Sequence, residues 1–149
     1  MPVITAQISL EAALTPGTIV GPAPIINFSL GGNNPTTIGG ATGGAGAGKI
    51  AFSPLHVTKM LDGLSVLLLT HLANGQHFKE VKIEVFDAGA LIATYRLHTA
   101  FVTSDIVGGS SMSLSEEVVF AFGELESDVV FGGTTYHSCW NAITNTSCP

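Results

Sequence analysis

Charge is what this sequence has least of. Only 11% of its 149 residues are Asp, Glu, Lys or Arg, against about 25% in an ordinary soluble domain. The few charges are also unevenly placed: none occurs between Glu11 and Lys49, and none after Asp128. Basic residues number only five, and just Lys79 and Lys82 lie close together, with Glu80 and Glu84 beside them. At a net charge of −6 there is no cationic stripe for a phosphate backbone, which excludes nucleic acid as a partner class. Long apolar runs are lacking too. The longest, Leu64 to Ala73, contains His71 and falls short of the roughly 20 residues a membrane span requires. Met1 to Ala6 has neither the basic n-region nor the apolar h-region of a conventional signal. Either export uses another route or the numbering starts on a processed form.

What is present is a folding composition. Apolar residues make up 46% of the chain, enough for one domain with a real core and too short a chain for two. A surface this poor in charge has two readings. It is coated with Gly, Ser, Thr and Asn, or much of it is buried against further copies of the chain. The two cysteines, Cys139 and Cys148, stand in the last eleven residues. Only His137 lies near enough to complete a zinc set, so a local disulfide that pins the tail is the favoured reading, and it points to an oxidising final environment.

Strand signals dominate the pattern. Val3–Leu10 reads as a strand, then Pro16, Gly17, Gly21, Pro22 and Pro24 read as a turn region. Ile25–Leu30 is a second strand, with Ile26, Phe28 and Leu30 on one face. Gly31 to Gly48 reads as a long loop with glycine at 31, 32, 39, 40, 43, 44, 46 and 48, a length that suggests a contact outside the subunit. Lys49–Lys59 resumes strand character. The one good helix signal runs from Asp62 to Gly75, with Ser65 as N-cap, Leu64, Leu67, Leu68 and Leu72 at helical spacing, and Asn74-Gly75 as the left-handed stop. Lys79–Asp87 alternates strictly, with Val81, Ile83 and Val85 inward and Lys82 and Glu84 outward. Leu91–Thr103 and Glu117–Glu126 follow as strands, separated by a turn at Gly108–Ser111. Many short strands with one helix predict a mainly β fold, a two-sheet sandwich or small antiparallel barrel with the helix at one side.

No catalytic constellation emerges. Gly43–Lys49 spells GxxxxGK, but Ile50 stands where a phosphate-binding loop needs a hydroxyl and a strand begins where it needs a helix, so no nucleotide is expected. His56, His71, His77, His98 and His137 are scattered without a metal-ligand spacing. Ser110, Ser111 and Ser113 lack a nucleophile elbow. Glu116, Glu117, Glu124 and Glu126 decorate one strand and its approach as solvated charges. Of two glycosylation sequons, at Asn27 and Asn145, only Asn145 lies in an exposed tail. No enzyme, cofactor or metal is expected.

The middle of the chain resembles the haemolysin-coregulated protein (Hcp) family, the inner-tube subunits of type VI secretion systems. The resemblance begins at Gly43–Lys49 and the strand Ile50–Lys59. It runs on through Asp62, Ser65, the leucine-rich helix and Asn74–Val81. It continues with the Ala88-Gly89 turn, Tyr95-Arg96-Leu97 and Val102-Thr103-Ser104, and ends at Glu116–Glu126. The chain departs from the family at Val66, where proline is usual, at Thr99-Ala100 and at Glu124. The resemblance implies a Hcp-like domain over residues 1–126 and a cysteine-bearing extension over 127–149. It further implies homo-hexameric rings stacked into a hollow tube, with Gly39, Gly40, Gly43, Gly44, Gly46 and Gly48 in a loop that reaches the next ring. Sheath, spike and effector proteins are the implied further partners, and the implied location is secreted or extracellular, after assembly in the bacterial cytoplasm. A stand-alone extracellular fibre, or a secreted binding module built around Tyr95, Tyr136 and Trp140, stays open as an alternative.

Overall fold

The computed structural model describes residues 3–35 and 50–148. It is mainly β. In chain order come β1 (Ile4–Ala12), β2 (Ile19–Ile25), β3 (Asn27–Asn33), β4 (Ala51–Met60) and α1 (Leu64–Asn74). They are followed by β5 (Phe78–Asp87), β6 (Ala90–Ser110), β7 (Ser113–Phe131), β8 (Thr134–Asn141) and β9 (Thr146–Ser147). The antiparallel ladder runs β2-β1-β5-β6-β7-β4-β3, and β8 and β9 extend from β7.

The barrel alternative is corrected here: the sheet is open. β2 and β3 stand at its two ends and do not pair with one another, although Ile26 N–H donates to Thr58 O at 2.7 Å and draws the ends together. β6 and β7 make the fold two-layered, because each is long enough to serve both layers. The first half of β7 pairs with β4 (Met60↔Ser115 to Leu55↔Phe120). Its second half pairs with β8 (Glu124↔Asn141 to Phe131↔Thr134).

A change of strand parity marks the bend. Along β6 the buried apolar residues are Ala93 and Leu97, then Ala100 and Val102. Between them Thr99 takes a left-handed φ of 54°. The inward parity changes here and again at the irregularity between Val102 and Ser104, so the same strand can line both layers. The core between the layers is built from Ile8, Leu10, Leu55, Val57, Val81, Ile83, Leu97, Val118 and Phe120, with Leu64 and Leu68 of the helix. Alternation in β5 is as expected, with Val81, Ile83 and Val85 buried.

Several local expectations need revision. The Pro/Gly stretch before Ile25 contains β2, whose backbone pairs with β1 despite its prolines; proline is tolerated there because β2 is an edge strand. Gly31 and Gly32 are ladder residues opposite Ser53 and Phe52, so the loop starts later. Gly108–Ser110 remains strand, and the ribbon turns at Ser111-Met112. Ser65 is not the N-cap. Gly63 stands at the N-cap without a side-chain bond; Asp62, just before it, accepts from Leu64 N–H through Oδ1 at 3.0 Å, and Ser65 lies inside the first turn. Gly75 does stop the helix, at φ 74° with its N–H on His71 O; its lack of a Cβ is what makes that conformation cheap.

Candidate assembly surfaces

The β6–β7 ribbon carries exposed apolar side chains at both of its ends. At the turn end are Ile106, Val107, Met112 and Leu114, beside Met60 and Leu61. At the other end, where β7 turns into β8, are Leu91, Val129, Val130 and Phe131, with Val3 and Ile4 of the neighbouring N-terminus. Met112 is 90% and Phe131 77% exposed. Leaving such side chains in water forfeits about 1.5–3 kcal/mol each relative to burial. Groups of them, at two different places, are what a head-to-tail contact between copies requires.

Behind the turn end lies a buried ionic knot. Lys59 on β4 and Glu116 on β7 are both fully buried. Lys59 Nζ donates to Glu116 Oε1 (2.9 Å), Asp62 Oδ1 (2.7 Å), Ser65 Oγ (3.3 Å) and Met60 O (3.0 Å). Ser65 Oγ donates in turn to Glu116 Oε1 at 2.7 Å. Burial pushes the Glu116 carboxyl up, but the neighbouring Asp105 carboxyl and the hydrogen bonds from Lys59 and Ser65 outweigh it and hold it below the ordinary range. Asp105 is raised to about 7, first by burial and then by the adjacent Glu116 carboxyl.

A second charged region covers the face of β1, β5, β6, β7 and β8 turned away from the core. The register sets three rows across these strands: Gln7, Glu84, Thr94, Asp128 and His137; Ser9, Lys82, Arg96, Glu126 and Cys139; Glu11, Glu80, His98, Glu124 and Asn141. Two of the five basic and six of the eleven acidic residues are on this one face. Arg96 pairs with Asp128 (3.0 Å) and Glu80 (3.7 Å). His98 lies 3.4 Å from Glu126, and His137 reaches Asp128 at 2.6 Å. Asp128 is lowered, chiefly by the hydrogen bond with His137, with Arg96 adding to it. These are half-exposed, mutually satisfied pairs, each worth about 0–1 kcal/mol.

Cys139 and Cys148 form a disulfide, with Cα atoms 5.3 Å apart. It lines an open concavity of about 650 Å³ together with Glu124, Glu126, His137 and Trp140. Trp140 is the single aromatic there; Tyr95 packs instead against Phe28, ring centroids 6.1 Å apart. The register sets Tyr95, Tyr136 and Trp140 in adjacent rows of β6 and β8, all on one face. Glu124 Oε and the two sulfurs approach one another, but oxidised sulfurs are not thiolate ligands, so this is no metal centre.

Comparison with known proteins decides the family. The profile of the family described as "Type VI secretion system effector, Hcp" matches residues 21–128. The chain belongs to the Hcp family. No curated protein matches its sequence. Among solved structures, one titled "Structure of a type six secretion system protein" is 23% identical at a TM-score of 0.79, covering 98% of this chain and all of its own. Hcp1 from Salmonella typhimurium is 15% identical, also at 0.79, covering 99% of this chain and 100% of its own. The six-fold symmetrised baseplate of the anti-feeding prophage contains a chain that is 12% identical at a TM-score of 0.58, with 88% of this chain and 93% of that one covered. At these identities the structures establish a shared fold.

The positions at which this Hcp chain departs from its relatives have clear surroundings. Val66 is exposed on the first turn of α1. Thr99 is the left-handed residue at the bend of β6, and Glu124 sits 3.9 Å from His98. The cysteine-bearing tail is joined to the Hcp sheet: β8 pairs with β7, and Ala142 N–H donates to Gly123 O at 2.8 Å. Gly123 admits it, since a Cβ there would meet Ile143 at 3.0 Å. Asn145 has a left-handed φ of 57°, and its Oδ1 accepts from Trp140 Nε1 at 3.3 Å. The loop glycines Gly39, Gly40, Gly43, Gly44, Gly46 and Gly48 lie outside the described residues.

Sequence reasoning missed the Lys59–Glu116 knot and the two apolar ribbon ends. A signal for the first was available: Lys59 closes the alternation Leu55, Val57 on the inward parity of its strand, and Glu116 precedes Val118 and Phe120 on theirs. Ser110, Ser111 and Ser113 flank the exposed ribbon turn. His71 is buried, stacked on Phe78 at a ring separation of 4.0 Å, with Nδ1 on Leu67 O. No helix among the described residues is long and apolar enough to cross a membrane.

Proposed function

We propose that this chain is a non-enzymatic structural subunit of a secreted tube, closing head to tail into six-membered rings that stack. The observation that carries the reading is the pair of apolar ends on the β6–β7 ribbon. Two unlike patches at separate places suit a heterologous contact, one copy's turn end against the next copy's β7–β8 end, and such a contact makes a ring when it closes. Family membership and the six-fold baseplate of a structural relative support six as the number. The low charge of the chain fits a surface largely covered by its own copies. In the stack, the loop holding Gly39 to Gly48 reaches the neighbouring ring, and the tube in turn meets sheath, spike and effector proteins. The disulfide fits an extracellular destination for the assembled tube.

Electron microscopy and sedimentation of the purified protein test this. Rings or tubes are expected for the parent chain. Met112→Glu and Phe131→Glu, each at one end, are expected to give monomers with an unchanged melting temperature. A monodisperse monomer of the parent chain at high concentration would overturn the reading.

A further inference from the structure

Two buried oxygens of the ionic knot have no donor. Asp105 Oδ1 and Glu116 Oε2 are both sealed from solvent and both unsatisfied. The ladder explains how close they are. Asp105 stands opposite Val118 and Glu116 opposite Val107, which makes the two carboxyl groups diagonal neighbours on one face of the ribbon, within reach of one another. The groups facing them are few. β4 contributes Lys59, already donating to Glu116 Oε1, and the turn before the helix contributes Asp62, already accepting from Lys59. α1 contributes only the Ser65 hydroxyl, likewise spent on Oε1. Glu117 lies on the opposite face, 3.8 Å from His56. Asp62 is partly open to solvent, but Glu116 is fully buried and Asp105 partly so, which leaves two carboxyl groups sharing one ammonium and two orphan acceptors. One proton between Asp105 and Glu116 removes both faults at once, giving each orphan oxygen a partner.

We propose that Asp105 and Glu116 share a single proton, and that this proton latches the turn end of the β6–β7 ribbon onto β4 and the helix, making the ribbon tip pH-sensitive. Beyond Asp105 the tip consists only of the last residues of β6 and the first of β7, and Met60↔Ser115 is its outermost pairing to the rest of the sheet. The knot is therefore the last fixed point before the exposed apolar side chains of the tip. When the shared proton leaves, two adjacent carboxylates repel where the tip is anchored.

The direction follows from linkage. Asp105 keeps its proton in the closed fold and loses it on opening, so its contribution is complete below its ordinary value of 3.8 and is lost as the pH rises through about 7. Glu116 works oppositely, contributing above its ordinary value of 4.5 and losing that as the pH falls. The latch is firmest in the mildly acidic window between them.

Carbon-13 NMR of the side-chain carboxyls, with amide exchange of the ribbon tip corrected for intrinsic rates, tests this on the full chain. In the parent protein the Asp105 carboxyl is expected to titrate near neutrality, and protection of the tip amides to fall about tenfold between pH 5 and pH 8. Asp105→Asn supplies a permanent donor to Glu116 and should keep tip protection flat across that range. An Asp105 carboxyl that titrates at its ordinary value, or an Asp105→Asn tip with the parent's pH profile, overturns the proposal. Should Asp105→Asn fail to fold, the parent titration alone decides. The latch needs no second copy, so a chain that shows it without forming rings loses the assembly reading and keeps this one.

Discussion

Lys59 Nζ lies 2.9 Å from Glu116 Oε1, and both side chains are wholly buried although 57 residues separate them in sequence. The pair joins β4 to β7 at the base of the exposed ribbon tip, and Ser65 brings the helix into the same contact. Desolvating both charges is costly, so the knot is better read as a device that fixes which elements meet than as a large net source of stability.

Removing one partner should therefore be far worse than removing both. Lys59→Met alone is expected to destabilise by about 3–5 kcal/mol, because Glu116 is left as an uncompensated buried charge. Lys59→Met combined with Glu116→Leu should recover much of that loss. Urea midpoints of the two single variants and the double variant measure the coupling. Additive losses would mean that the two charges do not depend on one another.

Ser65 is expected to matter through its hydroxyl and not through helix capping. Ser65→Ala leaves Glu116 short of a donor and the Asp62 N–H without its 3.1 Å acceptor, a loss of about 1–3 kcal/mol. Circular dichroism of a peptide spanning the helix should change little, whereas thermal melting of the protein should shift clearly.

Reduction of Cys139–Cys148 should loosen the tail and leave the core intact. The bond closes a short loop, a sequence separation of 9, so the chain-entropy contribution is at most about 2–3 kcal/mol. Amide exchange with and without reductant is expected to quicken for residues after Trp140 and to be unchanged in β5. Electron micrographs in both conditions show whether the tail matters for assembly.

Acid should weaken the charged face through Asp128. Its lowered carboxyl contributes stability above the ordinary value of 3.8 and loses it as the pH falls further. Asp128→Asn is expected to cost about 0.2–1 kcal/mol at pH 7, the range for an exposed pair, and nothing at pH 2. Denaturant midpoints at the two pH values check the sign.

Deleting residues 39–48 separates ring closure from stacking. Rings are expected to persist in electron micrographs and filaments to disappear, since the ribbon ends are untouched. Loss of rings would place the loop in the subunit contact instead.

Local signals carried most of the element assignments. Val81, Ile83 and Val85 alternate with charged neighbours because a half-buried strand has period two, and that is visible in ten residues. Gly75 stops the helix for a reason of backbone sterics that is equally local. β2 was hidden because its prolines resemble a turn unless one knows that the strand lies on an edge. The true lengths of β6 and β7 were hidden as well: Thr99 shifts the parity in mid-strand, so their periodicity breaks where their pairing does not.

By itself the sequence determined the family, the mainly β fold with one helix, the inward alternation of β5 and the cysteine pair of the tail. Each rests on residues close in the chain or on an ordered series of motifs. Only the tertiary structure decided that the sheet stays open, that Lys59 meets Glu116 with Asp105 beside it, that His98 and His137 converge on Glu126, and that the ribbon ends are apolar and bare. Those facts depend on which strand lies beside which, and in what register. Register is set by the packing of the whole core, which no local stretch of sequence contains.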